Sequence, residues 1–194
     1  NDLITEGTVR LEANIKGPYG KDIFPDIHAV LNIDDGAFKF KKYSGEINDF
    51  GADANATINF NTPSKSYVNI SKLNIEGSGI DLKANGKIKD VINNPDVNTK
   101  IKGQINFNTL KEVFPIHKDI ETSGVANINL TTNFTKNAII NQDYKSINAS
   151  GSLELDNVII NHKTEEFIFK SQNTNITFGR TYNEKQENNL TGNL

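Results

Sequence analysis

Hydrophobic and polar residues alternate along most of this chain with a period of two. Val9, Leu11, Ala13 and Ile15 are interleaved with Arg10, Glu12 and Asn14. Ile27, Ala29, Leu31 and Ile33 repeat the pattern, broken only by Val30. It continues through Ala52, Ala54, Ala56, Ile58 and Phe60, through Ala126, Ile128 and Leu130, and through Ile147, Ala149, Gly151, Leu153 and Leu155. Successive side chains of a strand point to opposite faces, so each run predicts a strand with one apolar and one polar side. Shorter runs at Val68–Ile75, Ile80–Ile88, Val97–Phe107, Phe167–Phe169 and Ile176–Phe178 bring the expectation to about ten to twelve strands.

Turn chemistry divides the runs. Asp35-Gly36, between Ile33 and Phe38, is a two-residue hairpin signal because glycine readily takes a positive φ. Asn94-Pro95-Asp96 separates Val91-Ile92 from the strand beginning at Val97, and Pro95 pushes Asn94 towards extended geometry. Gly17-Pro18-Tyr19-Gly20, Asn61-Thr62-Pro63-Ser64 and Gly77-Ser78-Gly79 are further breaks. Closely spaced strands without long helices between them predict an antiparallel meander. One short helix is expected over residues 109–114: Asn108 or Thr109 caps it, Glu112 completes a capping box with Thr109, and Pro115 stops it. Its Leu110, Val113 and Phe114 share a face. From Arg180 to Leu194 the periodicity fades, which predicts a polar loop or a truncated continuation. Gly86, Gly103, Gly124 and Gly151 each open or break a strand, as though one hairpin-like unit were used repeatedly.

Such strands pose a physical problem. Each has one apolar face, and no long helix is available to cover it. Burying a Leu, Ile or Phe side chain is worth about 1.5–3 kcal/mol, and monomers rarely expose large apolar patches. The sheet can fold on itself as a sandwich, close into a barrel, or curl into a trough whose inner face meets a lipid or a neighbouring chain. The pattern alone leaves these open.

Composition narrows the chemistry. The 194 residues suit one domain, read here as a single β-rich segment over residues 1–180 with a polar tail or continuation over 181–194. A net charge of -3 offers no basic surface on which to base nucleic-acid binding. Without cysteine there is no disulfide, thiolate metal site or cysteine nucleophile. No stretch approaches a membrane-spanning helix. Methionine is absent even from position 1, which predicts a processed chain or an excised segment, with any targeting sequence or anchor outside it.

The order Gly86, Asn94-Pro95-Asp96-Val97, Gly103-Gln104-Ile105-Asn106-Phe107-Asn108-Thr109-Leu110, Phe114-Pro115, Gly124-Val125-Ala126-Asn127-Ile128 and Leu130 resembles the AsmA family. Upstream, Tyr19-Gly20-Lys21-Asp22-Ile23-Phe24-Pro25 and Asp35-Gly36-Ala37-Phe38 resemble its Bacteroidetes-type members, as does Tyr144–Leu153. The resemblance covers about residues 10–165, and order and spacing carry it rather than any single motif. It implies a protein related to TamB, anchored in the bacterial inner membrane by a helix outside this segment and extending through the periplasm. It also implies an elongated β-groove, an open half-pipe, that moves phospholipid towards the outer membrane and supports envelope biogenesis, with envelope proteins as partners. On this reading the acyl chains lie against Ile58, Phe60, Ile101, Ile105, Phe107, Ile128, Leu130, Leu153 and Leu155. The alternative is a closed β-sandwich serving as a binding or adhesion module without lipid.

Catalysis finds little support. His28, His117 and His162 lack ligand spacing. Asp34-Asp35-Gly36 lacks the rest of a calcium loop. Glu165-Glu166 falls on an expected strand, hence on opposite faces, which is wrong for a paired-carboxylate site. No G-x-S-x-G elbow and no phosphate-binding glycine loop occur. Lys39, Lys41 and Lys42 around Phe38 and Phe40 imitate a basic–aromatic patch but read as a solvated strand face. Asn55-Ala56-Thr57, Asn129-Leu130-Thr131 and Asn148-Ala149-Ser150 are chance glycan tripeptides in an Asn-rich chain. An enzyme, a cofactor and a metal are therefore not expected.

Overall fold

A computed structural model describes residues 2–21, 23–114, 116–165, 167–183 and 186–193, with side chains as far as Gly179. The strands are β1 (Leu3–Lys16), β2 (Asp26–Phe40), β3 (Ile47–Ile58), β4 (Tyr67–Gly77), β5 (Ile80–Lys89) and β6 (Asp96–Asn106). After helix α1 (Leu110–Val113) come β7 (Ile120–Thr135), helix α2 (Lys136–Ile140), β8 (Asn148–His162), β9 (Phe167–Ser171), β10 (Thr174–Asn183) and β11 (Gln186–Asn193). All eleven form one sheet in which each strand from β1 to β8 pairs antiparallel with its sequence neighbour; β10 then continues from β8 to β11, and β9 pairs with β8 alone. The all-β antiparallel meander expected from the alternation is what forms. The sheet stays open, with β1 at one edge and β11 at the other, so the closed sandwich weighed above is not adopted. The chain accordingly exposes 13084 Å², against about 9,200 Å² for a compact monomer of this mass.

Interruptions in the alternation become β-bulges, which keep the apolar residues on one side. In β4 the consecutive polar residues Ser71 and Lys72 break the pattern between Ile70 and Leu73. The register shifts there, so that Ile70 faces Gly86 and Leu73 faces Ala84. In β8 the same slip occurs at Asp156-Asn157. Asn157 has φ 49, a left-handed conformation that Asn tolerates, and Val158 returns to the buried side at 1% exposure. Asp35-Gly36, expected to turn a hairpin, proves to be another bulge. β2 runs through it, with Asp35 at φ 52 and a register shift between Ile33 and Gly36. The positive φ falls on Asp35 rather than on Gly36, and it re-phases the strand. Gly77-Ser78-Gly79 does make a tight turn, with Ser78 at φ 22 and Gly79 at φ 85.

The core sits at one end of the sheet. Ile47, Ile80 and Val113 are buried together, with Phe38, Phe50, Ile75, Leu82, Leu110 and Phe114 packed around them. The β6–β7 connection carrying α1 thus reaches back to β2, where the Phe38 and Phe114 rings lie 6.3 Å apart. It is tied down by the Gly45 N–H donating to the Glu112 carbonyl at 2.7 Å. Leu110, Val113 and Phe114 use the shared face that the sequence predicts. The capping box does not form: the Thr109 hydroxyl donates to the Ser78 and Asn106 carbonyls instead, at 2.8 and 3.1 Å, and Pro115 lies outside the described residues. A second short helix, α2, was not anticipated, because it lacks an apolar stripe. Thr135 caps it, its hydroxyl accepting from the Ala138 N–H at 3.2 Å.

The polar stretch after Arg180 is a hairpin of β10 and β11 rather than a loop. Ladder hydrogen bonds need only backbone groups, so pairing persists where side-chain alternation gives no signal.

At the margin of β7 and β8, Lys163 Nζ lies 2.5 Å from Glu121 Oε1. The hydrogen bond and charge of Lys163, helped by Asn161, hold the Glu121 carboxyl below its ordinary value. A lowered folded value means that the pair's contribution is present above the unfolded carboxylate pKa and is lost as pH falls through the folded one. Side-chain NMR titration should show Glu121 protonating at lower pH in the parent than in Lys163→Met, which removes that hydrogen bond and charge.

An unpartnered apolar face as the candidate site

Cross-strand partners share a face of a sheet, so the register decides what lies beside what. One row runs Val9, Ile33, Ala52, Leu73, Ala84, Ile101, Leu130, Gly151 and Phe178 across nine strands. The next runs Phe50, Ile75, Leu82, Gly103, Ile128, Leu153 and Ile176. A third runs Ala13, Ala29, Ala56, Val68, Ile88, Val97 and Phe134. At about 4.8 Å per strand the first row is about 38 Å long, more than twice the roughly 15 Å hydrocarbon depth of one membrane leaflet. The opposite face carries Lys83, Lys102, Asn129 and Ser152 in one such row.

The apolar face is a single surface that little else in the chain covers. Away from the α1 end its large side chains, among them Ile70, Ile88, Ile101, Ile128, Leu130 and Leu153, are only half-buried. At the β1 edge Val9 and Leu11 are each 68% exposed. Polar atoms on this side pair with each other, as where the Thr99 and Thr132 hydroxyls meet at 2.8 Å. The result is a long, nearly neutral track, closed at one end by α1.

Seven of the nine residues named from the sequence take strand positions on this face. Ile101 faces Leu130, Ile128 faces Leu153, Ile105 and Leu155 both flank Ala126, and Ile58 faces Ile27 at the far end of β3. Phe60 and Phe107 lie just beyond their strands. Phe60 stacks at a tilt on Phe24, with ring centroids 5.6 Å apart, and Phe107 sits in the turn after β6, its N–H donating to the Gly124 carbonyl. The β4 and β5 contributions, Ile70, Leu73, Ile75 and Leu82, lie in the runs Val68–Ile75 and Ile80–Ile88 that predict strands, but are not among the nine residues named for the face. The β4 bulge breaks the period between Ile70 and Leu73, where Ser71-Lys72 is its signal in the sequence; Leu82 keeps strict alternation within β5.

The other candidates separate. His28 pairs with the Thr57 hydroxyl at 3.0 Å, His117 lies 3.3 Å from Asp119, and His162 accepts from the Glu165 N–H. Among the described residues no three His, Asp or Glu side chains gather as a metal set would. Glu165 is in a turn rather than on a strand, and Glu166 is outside the described residues. The basic–aromatic run divides, with Phe38 in the core and Lys39 3.7 Å from Glu46 on the other side.

No family model, curated protein or solved structure matches the chain significantly.

Proposed function

We propose that the open apolar face is a track for the acyl chains of phospholipids, in a periplasmic AsmA-like segment that passes lipid between the inner and outer membranes and supports outer-membrane biogenesis. The observation that carries this reading is the continuous apolar face shared by nine strands, half-buried across most of them and exposed at β1, with α1 covering only one end. A second layer of secondary structure would have sealed it. The motif order from Gly86 to Leu130 is the second support.

The mechanism is transport without a covalent step. Burying a methylene is worth about 0.8 kcal/mol, and a chain lying on an open face buries only part of its surface. Successive rows offer similar aliphatic surroundings, so a chain moving from Ile101 and Leu130 to Ile128 and Leu153 leaves one shallow well for an equivalent one. Headgroups stay in water at the open side. A conduit requires such weak, repeated sites rather than one tight pocket.

The test uses photo-crosslinking amino acids at two adjacent positions of β7. Ile128 is on the apolar face beside Gly103 and Leu153, whereas Asn127 faces the other way beside Gln104 and Glu154. In cells, Ile128 is expected to capture phospholipid, identified by mass spectrometry of the adduct, and Asn127 to capture little. Equal capture at both positions, or none at Ile128, would overturn the assignment.

A further inference from the structure

The outer edge of β1 presents a surface that the lipid track does not use. Among the described residues β1 pairs on one side only, with β2, and all fourteen of its residues are exposed. Edge strands of natural sheets are usually short, or carry proline, a bulge or a charge on the core side, which stops another strand from adding. From Thr8 to Lys16 β1 has no such device. Its register with β2 is unbroken there, it contains no proline, and its apolar side holds only Val9, Leu11, Ala13 and Ile15. Val9 and Leu11 are each 68% exposed and Ile15 is 66% exposed. The outward backbone N–H and C=O groups thus form a ready ladder for one more strand.

The polar side of β1 says which strand fits. Arg10 and Glu12 lie opposite the uncharged Asn32 and Val30 of β2, and among the described residues neither makes an ion pair. Their order is self-complementary towards an antiparallel copy. With Leu11 opposite its own symmetry mate, Arg10 faces Glu12, Glu12 faces Arg10, Thr8 faces Asn14 and Val9 faces Ala13. Past the positive φ of Gly7, Glu6 and Lys16 then meet at each end. Other registers fail. Centring the pair on Arg10 or Glu12 sets like charges face to face, and centring it on Val9 or Ala13 sets Glu6 against Glu12 or Arg10 against Lys16. A one-residue offset that brings Arg10 opposite Leu11 turns the apolar row of one copy onto the polar row of the other.

We infer that β1 is the interface through which two copies of this chain join, antiparallel and centred on Leu11, into one continuous sheet. The two-fold axis runs perpendicular to the sheet, so one patch serves both copies and both apolar faces lie on the same side. The Thr8–Asn14 ladder is about 24 Å long, and every second pair along it exchanges two backbone hydrogen bonds. Those bonds supply the adhesion, and the charges select the register. The apolar face then runs on from one copy into the other through Leu11 and its symmetry mate. This pairing needs no occupant on that face and stands whether or not lipid binds there.

The test is analytical ultracentrifugation of the full chain without lipid, over a range of concentrations, and the expected result is a monomer–dimer equilibrium. Arg10→Glu and Glu12→Arg each set like charges opposite one another at two symmetry-related places, and each should raise the dimer dissociation constant at least about tenfold. An equimolar mixture of the two variants restores opposite charges in a heterodimer, and the exchange Arg10→Glu/Glu12→Arg restores them in a homodimer. Both should return to within about threefold of the parent, a rescue that misfolding cannot imitate. The chain has no cysteine, so a single introduced one reports the register. Leu11→Cys should oxidise to a disulfide-linked dimer, its Cα atoms being about 4.5–5.5 Å apart. Val9→Cys, displaced about 14 Å along the strand from its symmetry mate, should stay reduced. A monomer at every concentration, growth beyond the dimer as pairing of β1 with β11 would produce, no rescue by either route, or equal crosslinking at positions 9 and 11 would each overturn the interface.

Discussion

Gly103→Ala and Gly151→Ala should each destabilise the sheet by about 3 kcal/mol or more in urea unfolding. Both glycines sit in strands whose neighbours come unusually close. A Cβ on Gly103 would stand 1.9 Å from the Asp81 carbonyl oxygen, and one on Gly151 would stand 1.8 Å from that of Asn129. The obstructing atoms are backbone groups of paired strands, so they cannot move aside as a flexible side chain can without breaking the ladder. Backbone conformation adds to the strain, with φ at 149 and 121 respectively, where a side chain is disfavoured. Gly20→Ala is the control, because no atom lies within 4 Å of its added Cβ, and it should change stability by less than about 0.5 kcal/mol. A loss below about 1 kcal/mol at both strand glycines would show that the strands do not approach as described.

These glycines also show what the sequence could and could not disclose. The recurrence of Gly at the head of a strand was visible as a pattern, but its reason was not. A glycine required by a neighbour's carbonyl looks the same in one dimension as a glycine that opens a turn. Asp35-Gly36 is the converse case, where turn chemistry was real but was used for a bulge inside β2. Strand identity was legible because period-two alternation follows directly from how side chains leave an extended backbone. Pairing order was legible because short connections favour sequence neighbours. The apolar face was legible strand by strand at Ile101, Ile128 and Leu153, but its continuity through β4 depends on a register shift at Ser71-Lys72.

The other large effect separates where the fold is held from where it is open. Ile47 has no exposed surface and lies against Val113, itself 1% exposed, beneath the connection from β6. Ile47→Ala should therefore cost about 3–4 kcal/mol, the transfer of its removed methyl and methylene groups plus the cavity they leave among Phe38, Ile80 and Val113. Ile128→Ala removes the same atoms from a half-buried position between Gly103 and Leu153 and should cost no more than about 1 kcal/mol, because those atoms were only partly withdrawn from water. Urea unfolding of the two variants beside the parent measures the contrast directly. The difference matters because a face that contributes little to stability is free to bind and release an occupant, whereas one that holds the fold together is not. Adding phospholipid should widen the loss at Ile128, since an occupant bound only by the folded state stabilises it by mass action and a smaller side chain weakens that linkage, while the loss at Ile47 should stay the same. Equal costs at the two positions without lipid would mean that the broad apolar face is already packed within the chain, and the lipid track would lose its physical basis.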